Sequence, residues 1–170
     1  MFIRKLTPDD WLVYKTVRLK SLEDAPQAFE SSLSEELDFD EAMWRSRLTQ
    51  SLSSFCFGAF SDAGTLCAIA GFRQGHKMKT QHKSYVWGVY VLPEHRSSGL
   101  GLRLMESVIQ AFNGLFDISS MQLPVTSDNL AALSLYQRLG FVQYGIETDA
   151  IRVDGQSYDE ILMCLIKADS

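Results

Sequence analysis

The segment that decides the fold is SYVWGVYVLPEHRSSGLG, residues 84–101, near the middle of the 170-residue chain. Its first half, 84–91, is rich in aromatic and β-branched residues and predicts a β-strand. Its second half places Gly99 and Gly101 at the start of an amphipathic helix over 99–112. A turn of this kind gathers several unpaired N–H groups at the positive end of a helix dipole. It therefore favours a bound phosphate.

Two common phosphate-binding motifs do not fit this turn. A P-loop requires Gly-Lys-Ser or Gly-Lys-Thr, but Gly101 is followed by Leu102 and Arg103. A dinucleotide-binding fold requires a third glycine near position 104, where the chain has leucine. A Gly-x-Gly pattern is weak by itself, so a helix start that binds no ligand remains the alternative at this point.

Outward from this segment, the chain predicts an α/β domain with a mixed sheet and helices on its faces. Strands are predicted at 2–6, 54–61, 65–73, 84–91, 118–125, 141–148 and 158–166, and helices after Thr7-Pro8 and at 34–52, 99–112 and 129–139. Asp154-Gly155 is typical of a tight hairpin turn. Gly88 inside its strand indicates a β-bulge or a close approach of another backbone. No repeat or linker divides the chain, so we expect a single domain over 1–170.

Apolar spacing predicts which helix faces are buried. The expected buried sets are Leu12, Leu19 and Leu22, or nearby combinations at helical spacing, in the first helix, Leu37, Trp44 and Leu48 in the second, and Leu104, Met105, Val108, Ile109 and Phe112 in the third.

Composition excludes several classes of function. A net charge of -5 argues against nucleic-acid binding, which depends on basic surface. No apolar stretch approaches the ~20 residues that span a bilayer, and the N-terminus lacks the core of a signal peptide, so we expect a cytoplasmic protein without a membrane partner. The histidines show no zinc-ligand spacing, so no metal is expected. Cys56 and Cys67 lie in apolar runs and are interpreted as small hydrophobic residues, with a nucleophilic or redox role as the alternative.

Two sequence blocks resemble the GNAT family of N-acetyltransferases. The stretch VLPEHRSSGLG, residues 91–101, is similar to the family signature Arg/Gln-x-x-Gly-x-Gly/Ala. The stretch NLAALSLYQRLGF, residues 129–141, is similar to its Asn-x-x-Ala-x-x-Leu-Tyr-x-x-x-Gly-Phe motif. Residues 18–29 and 153–160 also resemble a common bacterial subgroup. The resemblance implies a single GNAT-like domain whose sheet is mostly antiparallel and splays apart at the cofactor site, with helices on both faces.

The resemblance also implies acetyl-CoA as the cosubstrate and assigns its binding residues by position. The implied set is Val89, Tyr90, Val91, Arg96, Ser97, Ser98, Gly99, Leu100, Gly101, Leu102, Asn129 and Tyr136. The strand backbone at 89–91 would pair with the pantetheine arm, and the amides of 96–102 would hold the pyrophosphate. Asn129 would bind pantetheine, cap its helix, or do both. Ser97 stands where the family often has glycine, and Ser98 replaces a common basic residue.

The implied reaction is direct attack of a neutral amine on the thioester, through a tetrahedral oxyanion stabilised by N–H groups near Val89. Tyr136 matches the tyrosine that protonates the departing sulfur, and a core tyrosine is the alternative. Trp87 and Gly88 stand where many family members have a basic glutamate. Glu36 and Glu147 are therefore the candidates for the base. Glu35 and Asp149 are further candidates, and an ordered water chain without a single base is equally compatible.

We therefore expect an N-acetyltransferase acting on a primary amine of a small molecule, peptide or protein. A noncatalytic acyl-CoA-binding sensor is the alternative, and a scaffold that binds no cofactor is a third possibility. The acidic side chains of residues 30–41 would attract a cationic amine, or are simply a solvated helix face. A homodimer is also expected by resemblance to many relatives.

Overall fold

The computed structural model describes residues 1–167, and its seven strands form one mixed sheet of order β1-β2-β3-β4-β5-β7-β6. The strands are β1 (Phe2–Lys5), β2 (Ser54–Phe60), β3 (Leu66–Gln74), β4 (Lys83–Val91), β5 (Ser120–Thr126), β6 (Val142–Val153) and β7 (Gln156–Ile166). The helices are α1 (Trp11–Asp24), α2 (Leu33–Leu37), α3 (Glu41–Arg47), α4 (Leu100–Asn113) and α5 (Leu130–Arg138).

The sheet is mostly antiparallel, and β4 and β5 form its parallel pair. Their pairing is limited to Lys83–Tyr85 against Ser120–Gln122. Beyond Tyr85 and Gln122 the two strands diverge, although β4 continues for six more residues and β5 for four. This divergence confirms the expected splay and opens a cleft between the two halves of the sheet.

Helices cover both faces of the sheet, as expected. On one face, α1 and α3 contribute Tyr14, Val17 and Trp44 to a cluster that also buries Tyr90 of β4. On the other face, α4 and α5 contribute to the larger cluster. The predicted apolar face of α4 is confirmed: Leu104, Met105, Val108 and Phe112 are fully buried and Ile109 packs against them.

The N-terminal helices differ from the expectation. Leu12 is exposed, because the buried face of α1 is formed by Tyr14, Val17, Arg18, Ser21 and Leu22. The single helix expected over 34–52 is instead α2 followed by α3. The chain leaves the helical path after α2, and Asp40 caps α3 by accepting a hydrogen bond from the Met43 amide at 2.8 Å. This break also leaves Leu37 exposed, whereas Trp44 and Leu48 are fully buried as predicted.

The hairpin between β6 and β7 is confirmed, and both strands are longer than expected. Asp154 and Gly155 have φ values of 50° and 80°, the two left-handed positions of a type I′ turn. The register that follows from this turn pairs Glu147 with Glu160 across the two strands. Two carboxylates are thereby placed side by side at the cleft.

Candidate active site

The loop between β4 and α4 presents a run of unpaired backbone donors. None of the six amides of residues 97–102 donates a hydrogen bond to an acceptor within residues 1–167. The run is bounded by Arg96, whose amide donates to the Pro93 carbonyl at 3.2 Å, and by Arg103, whose amide donates to the Gly99 carbonyl at 3.1 Å. Six free N–H groups at a helix N-terminus form an anion site that fits a pyrophosphate. The predicted donors are thus present from Ser97 to Leu102, whereas the Arg96 amide is already bonded.

Backbone conformation and one side chain give this loop its shape. Gly99 has φ 77°, a left-handed value that suits glycine, and Ser97 also adopts a left-handed φ of 58°. The left-handed φ of Ser97 gives a physical reason why related sequences often have glycine at this position. The Arg96 side chain ties the loop to the strand, because its Nε donates to the Val91 carbonyl at 3.0 Å and its guanidinium lies 5.4 Å from the centre of the Tyr90 ring.

The cleft between the diverging strands has a volume of about 640 Å³. On the β5 side, residues 86–91 of β4 have no partner strand in the described chain, so their backbone edge is available to a ligand. Gly88 has φ 62° at a β-bulge, where two residues of β4 oppose Ala70 alone. Val89 lines the cleft, whereas the Tyr90 side chain is buried on the opposite face, where its hydroxyl donates to Asp24.

Helix α5 brings Asn129 and Tyr136 to the same cleft. Asn129 caps the helix, with its Oδ1 accepting from the Ala132 amide at 3.1 Å. The Tyr136 ring is almost fully buried and packs edge-on against Phe141, with 5.6 Å between ring centres. Its hydroxyl has no hydrogen-bond partner among the described residues, yet it remains accessible from the cleft. Burial raises the pKa of Tyr136, so the phenol stays protonated at neutral pH.

The β6–β7 half of the sheet contributes an acidic wall to the cleft. Glu147 and Glu160 lie side by side in the register, and Glu30 approaches them from the segment after α1. Glu160 is nearly fully buried, and no hydrogen bond links its side chain to the described chain. Burial first, and then the charges of Glu30 and Glu147, raise the pKa of Glu160. A carboxylate in this state accepts a proton more readily than a free glutamate does.

The other half of the molecule contributes arginines. Arg18 of α1 is almost fully buried, and its Nε and Nη2 donate to Glu36 at 2.7 to 3.2 Å. Arg47 of α3 donates to the same carboxylate at 3.1 Å. Both arginines line the cleft, whereas Glu36 is fully buried behind them and does not.

The model of the Acetyltransferase (GNAT) family matches residues 19–141, which is well over half of the chain. The chain belongs to the GNAT family. The match contains both sequence blocks, 91–101 and 129–141, that carried the resemblance, and the predicted family is therefore confirmed.

Individual relatives are more distant. An L-2,4-diaminobutyric acid acetyltransferase from Chromohalobacter salexigens is 28% identical over 82% of this chain, and N-alpha-acetyltransferase RimI from Mycobacterium tuberculosis is 32% identical over 54%. This chain spans 39% to 64% of the length of the diaminobutyric acid acetyltransferases that it matches, and 55% of RimI. The fold matches that of yncA from Salmonella typhimurium, solved with its cofactor acetyl-CoA, with a TM-score of 0.81 and 20% identity, over 100% of this chain and 95% of that one.

Within this GNAT fold, the four base candidates lie in different environments. Glu147 lines the cleft. Within the described residues, the Glu36 carboxylate accepts hydrogen bonds from Arg18 and Arg47 alone, and it does not line the cleft. Glu35 caps α2 by accepting from the Ser32 amide, and Asp149 accepts from Arg152 and Ser157. These hydrogen bonds lower the pKa of Glu35 and hold that of Asp149 well below its usual range. Neither Glu35 nor Asp149 lines the cleft.

Sequence reasoning missed three residues of this GNAT cleft: Glu160, Arg18 and Arg47. Glu160 could have been found from the hairpin, because a two-residue turn at 154–155 places it opposite Glu147. The two arginines lacked any such signal, because they reach the cleft from separate helices.

No group of three or more histidine, cysteine or acidic side chains is arranged for a metal within the part of the chain that the structure describes. In that same part, no helix is long and apolar enough to cross a membrane. Cys56 and Cys67 are buried, and burial raises the pKa of the Cys56 thiol to about 12, which agrees with a role as a small hydrophobic residue.

Proposed function

We propose that this chain is an acetyl-CoA-dependent N-acetyltransferase acting on a primary amine. The observation that carries the proposal is the run of six free amides at 97–102, which continues into the open backbone edge of β4 and the accessible Tyr136 hydroxyl. These three features together suit a ligand with a pyrophosphate, an extended amide-containing arm and a sulfur. Membership of the GNAT family supports the same ligand.

Each part of the chain then has a role toward the cosubstrate. The amides of 97–102 hold the pyrophosphate, the edge of β4 at 89–91 pairs with the pantetheine arm, and Asn129 both caps α5 and faces that arm. Bound acetyl-CoA supplies an acetyl thioester for direct attack by the amine. The bulge at Gly88 and Val89 turns backbone toward the cleft, where an N–H group stabilises negative charge developing on the carbonyl oxygen.

The protons are assigned to two side chains. An acceptor ammonium loses its proton to Glu160, directly or through water, before its nitrogen forms the new bond to the acetyl carbon. Glu160 is preferred to Glu147 because burial and like charge raise its pKa, and Glu147 acts beside it. As the carbon–sulfur bond breaks, Tyr136 donates its proton to the sulfur, and the nitrogen, which still carries one extra proton, releases it to the phenolate directly or through water. Glu36 instead holds Arg18 and Arg47 in place.

The acceptor is a primary amine of a small molecule or peptide. The relatives named as acting on L-2,4-diaminobutyric acid and as the N-alpha-acetyltransferase RimI support these two classes. The acidic wall of Glu30, Glu147 and Glu160 supports a cationic group entering the cleft.

The proposal is tested by mixing the protein with acetyl-CoA and a panel of amino acids, polyamines and peptides, and measuring free thiol. Release above the rate without amine supports the enzyme. If calorimetry detects acetyl-CoA binding but no amine gives thiol, the noncatalytic sensor is correct instead. Absence of both binding and release would contradict the cofactor site itself.

We also propose that the chain forms a homodimer. The edge strand β6 exposes Val142, Tyr144 and Ile146, an apolar surface that supports a contact between two copies. Sedimentation equilibrium gives the mass in solution, and a monomer at micromolar concentration would contradict the dimer.

A further inference from the structure

The Arg18 guanidinium has an unused donor. Its Nε and Nη2 are occupied by Glu36, but Nη1 is buried and has no hydrogen-bond acceptor within residues 1–167. Arg18 is only 4% exposed. A buried N–H of a charged group without an acceptor is costly, and most such groups in proteins have a partner.

This donor lies beside the reaction centre of the proposed enzyme. A Cβ built on Gly88, at the bulge of β4, would lie 3.8 Å from Arg18 Nη1. The guanidinium is also held from two directions, because Glu36 binds its edge and the Phe29 ring stacks on its face with 4.7 Å to the ring centre. Arg18 therefore has little freedom to turn Nη1 toward another acceptor.

The local charge favours an anion. Arg18 and Arg47 share the single carboxylate of Glu36, so this group, in which Arg18 and Glu36 are buried and Arg47 is partly exposed, has a surplus of one positive charge. The opposite wall carries the acids Glu147 and Glu160. The cleft thus has a positive side, formed by Arg18 and Arg47, and a negative side, formed by Glu147 and Glu160 on β6 and β7.

We propose that Arg18, assisted by Arg47, binds a carboxylate of the acceptor, so that the acceptor is an amino acid or a related amino carboxylate. This inference rests on the proposed acetyltransferase function and specifies its substrate class. The ammonium of such a molecule faces Glu147 and Glu160 while its carboxylate completes the bonding of Arg18 Nη1. A polyamine, which carries only positive charge, would face repulsion from Arg18 and Arg47. A neutral peptide carbonyl would leave their surplus charge unbalanced.

The experiment compares matched acceptors in the thiol-release assay. One set is L-2,4-diaminobutyrate, its carboxamide and 1,3-diaminopropane, and a second is L-alanine, L-alaninamide and ethylamine. We expect the wild-type kcat/KM for the acid to exceed that for its carboxamide by about 30-fold in at least one set, the scale of a buried hydrogen bond between charged groups. Equal or lower values for the acid in both sets would overturn the inference.

A variant then tests whether Arg18 is responsible. Removing Arg18 alone would leave Glu36 buried with one partner, so the test variant is the pair Arg18→Gln with Glu36→Gln, which removes both charges. Arg47 keeps its positive charge in this variant, so the loss measures the Arg18 hydrogen bond alone: the preference for the acid over the carboxamide should fall about tenfold, because kcat/KM falls much further for the acid than for the carboxamide. An equal loss for both acceptors would contradict the inference, because it would indicate a contact with the thioester or a purely structural role.

A control variant and the pattern of thiol release distinguish failure of the substrate class from failure of the proposed function. Arg45→Gln, on the exposed side of α3 and outside the cleft, should leave the preference unchanged. Thiol release from amines without a preference for carboxylates would overturn the substrate class alone. Absence of release from every amine would overturn the proposed function. The wild-type comparison decides the inference even if the paired variant does not fold.

Discussion

The loop that we propose holds the pyrophosphate and the proposed acceptor side of the cleft are built in opposite ways. The loop at 97–102 is one continuous segment that uses backbone N–H groups, and its geometry depends on a few φ values. The acceptor side uses side chains from α1, α3, β6 and β7, elements far apart in the sequence. The loop is therefore suited to a ligand that is the same in every reaction. The acceptor side can be adapted to a different acceptor by single side-chain substitutions.

The largest expected effect tests the backbone site. Gly99→Trp places a large side chain in the open space above the free amides, so acetyl-CoA affinity should fall at least about 100-fold by calorimetry. Gly64→Trp is the matched control, because Gly64 has a similar φ of 83°, faces open space and lies in the turn between β2 and β3. Unchanged affinity in Gly99→Trp, or an equal loss in the control, would mean that the loop does not hold the cofactor.

The next effect tests the role of Tyr136, which α5 brings to the cleft. Tyr136→Phe removes the proposed proton donor but retains the ring that packs on Phe141, so kcat should fall about 100-fold with little change in the Kd for acetyl-CoA. Tyr158→Phe, outside the cleft, should have normal kcat. A normal kcat in Tyr136→Phe would make Tyr136 a core residue only.

A smaller effect concerns the acidic wall. Glu160 acts as a base only when deprotonated, so activity should increase as pH rises through its pKa. Glu147→Gln removes a neighbouring negative charge and lowers that pKa, which should move the acidic limb of the kcat/KM profile to lower pH. Glu106→Gln on α4 provides the control and should leave the limb in place. A limb that stays fixed in Glu147→Gln would exclude Glu160 as the base.

The smallest effect concerns stability of the loop. Ser97→Gly relieves a left-handed backbone at φ 58° but adds entropy to the unfolded chain, so the free energy of unfolding should rise by about 0.5 kcal/mol. Ser98→Gly lacks this relief and loses the hydrogen bond from Ser98 Oγ to the His95 carbonyl at 2.7 Å, so it should be destabilising. Urea unfolding of the two variants measures the contrast, and destabilisation by Ser97→Gly would contradict the strain.

The regions that depend on local sequence were predicted well, and those assembled from distant elements were not. The strand at 84–91, the apolar face of α4 and the hairpin at 154–155 were predictable, because period and turn chemistry are local. The break between α2 and α3 was missed, because the intervening capping residue Asp40 looked like one of several surface acids. The burial of Arg18 was missed because the buried face of α1 differs from the leucine face that apolar spacing predicted, and it depends on tertiary packing against Glu36.

The three-residue parallel pairing of β4 with β5 has a mechanical consequence. The sheet is joined at its middle by a narrow seam, and the remaining length of both strands is unsupported along that side. A ligand that contacts both β4 and β5 where they diverge would hold the two halves of the sheet together. Acetyl-CoA would be such a ligand and would bind only the folded chain. At concentrations well above its Kd, it should therefore raise the melting temperature in proportion to the logarithm of its concentration.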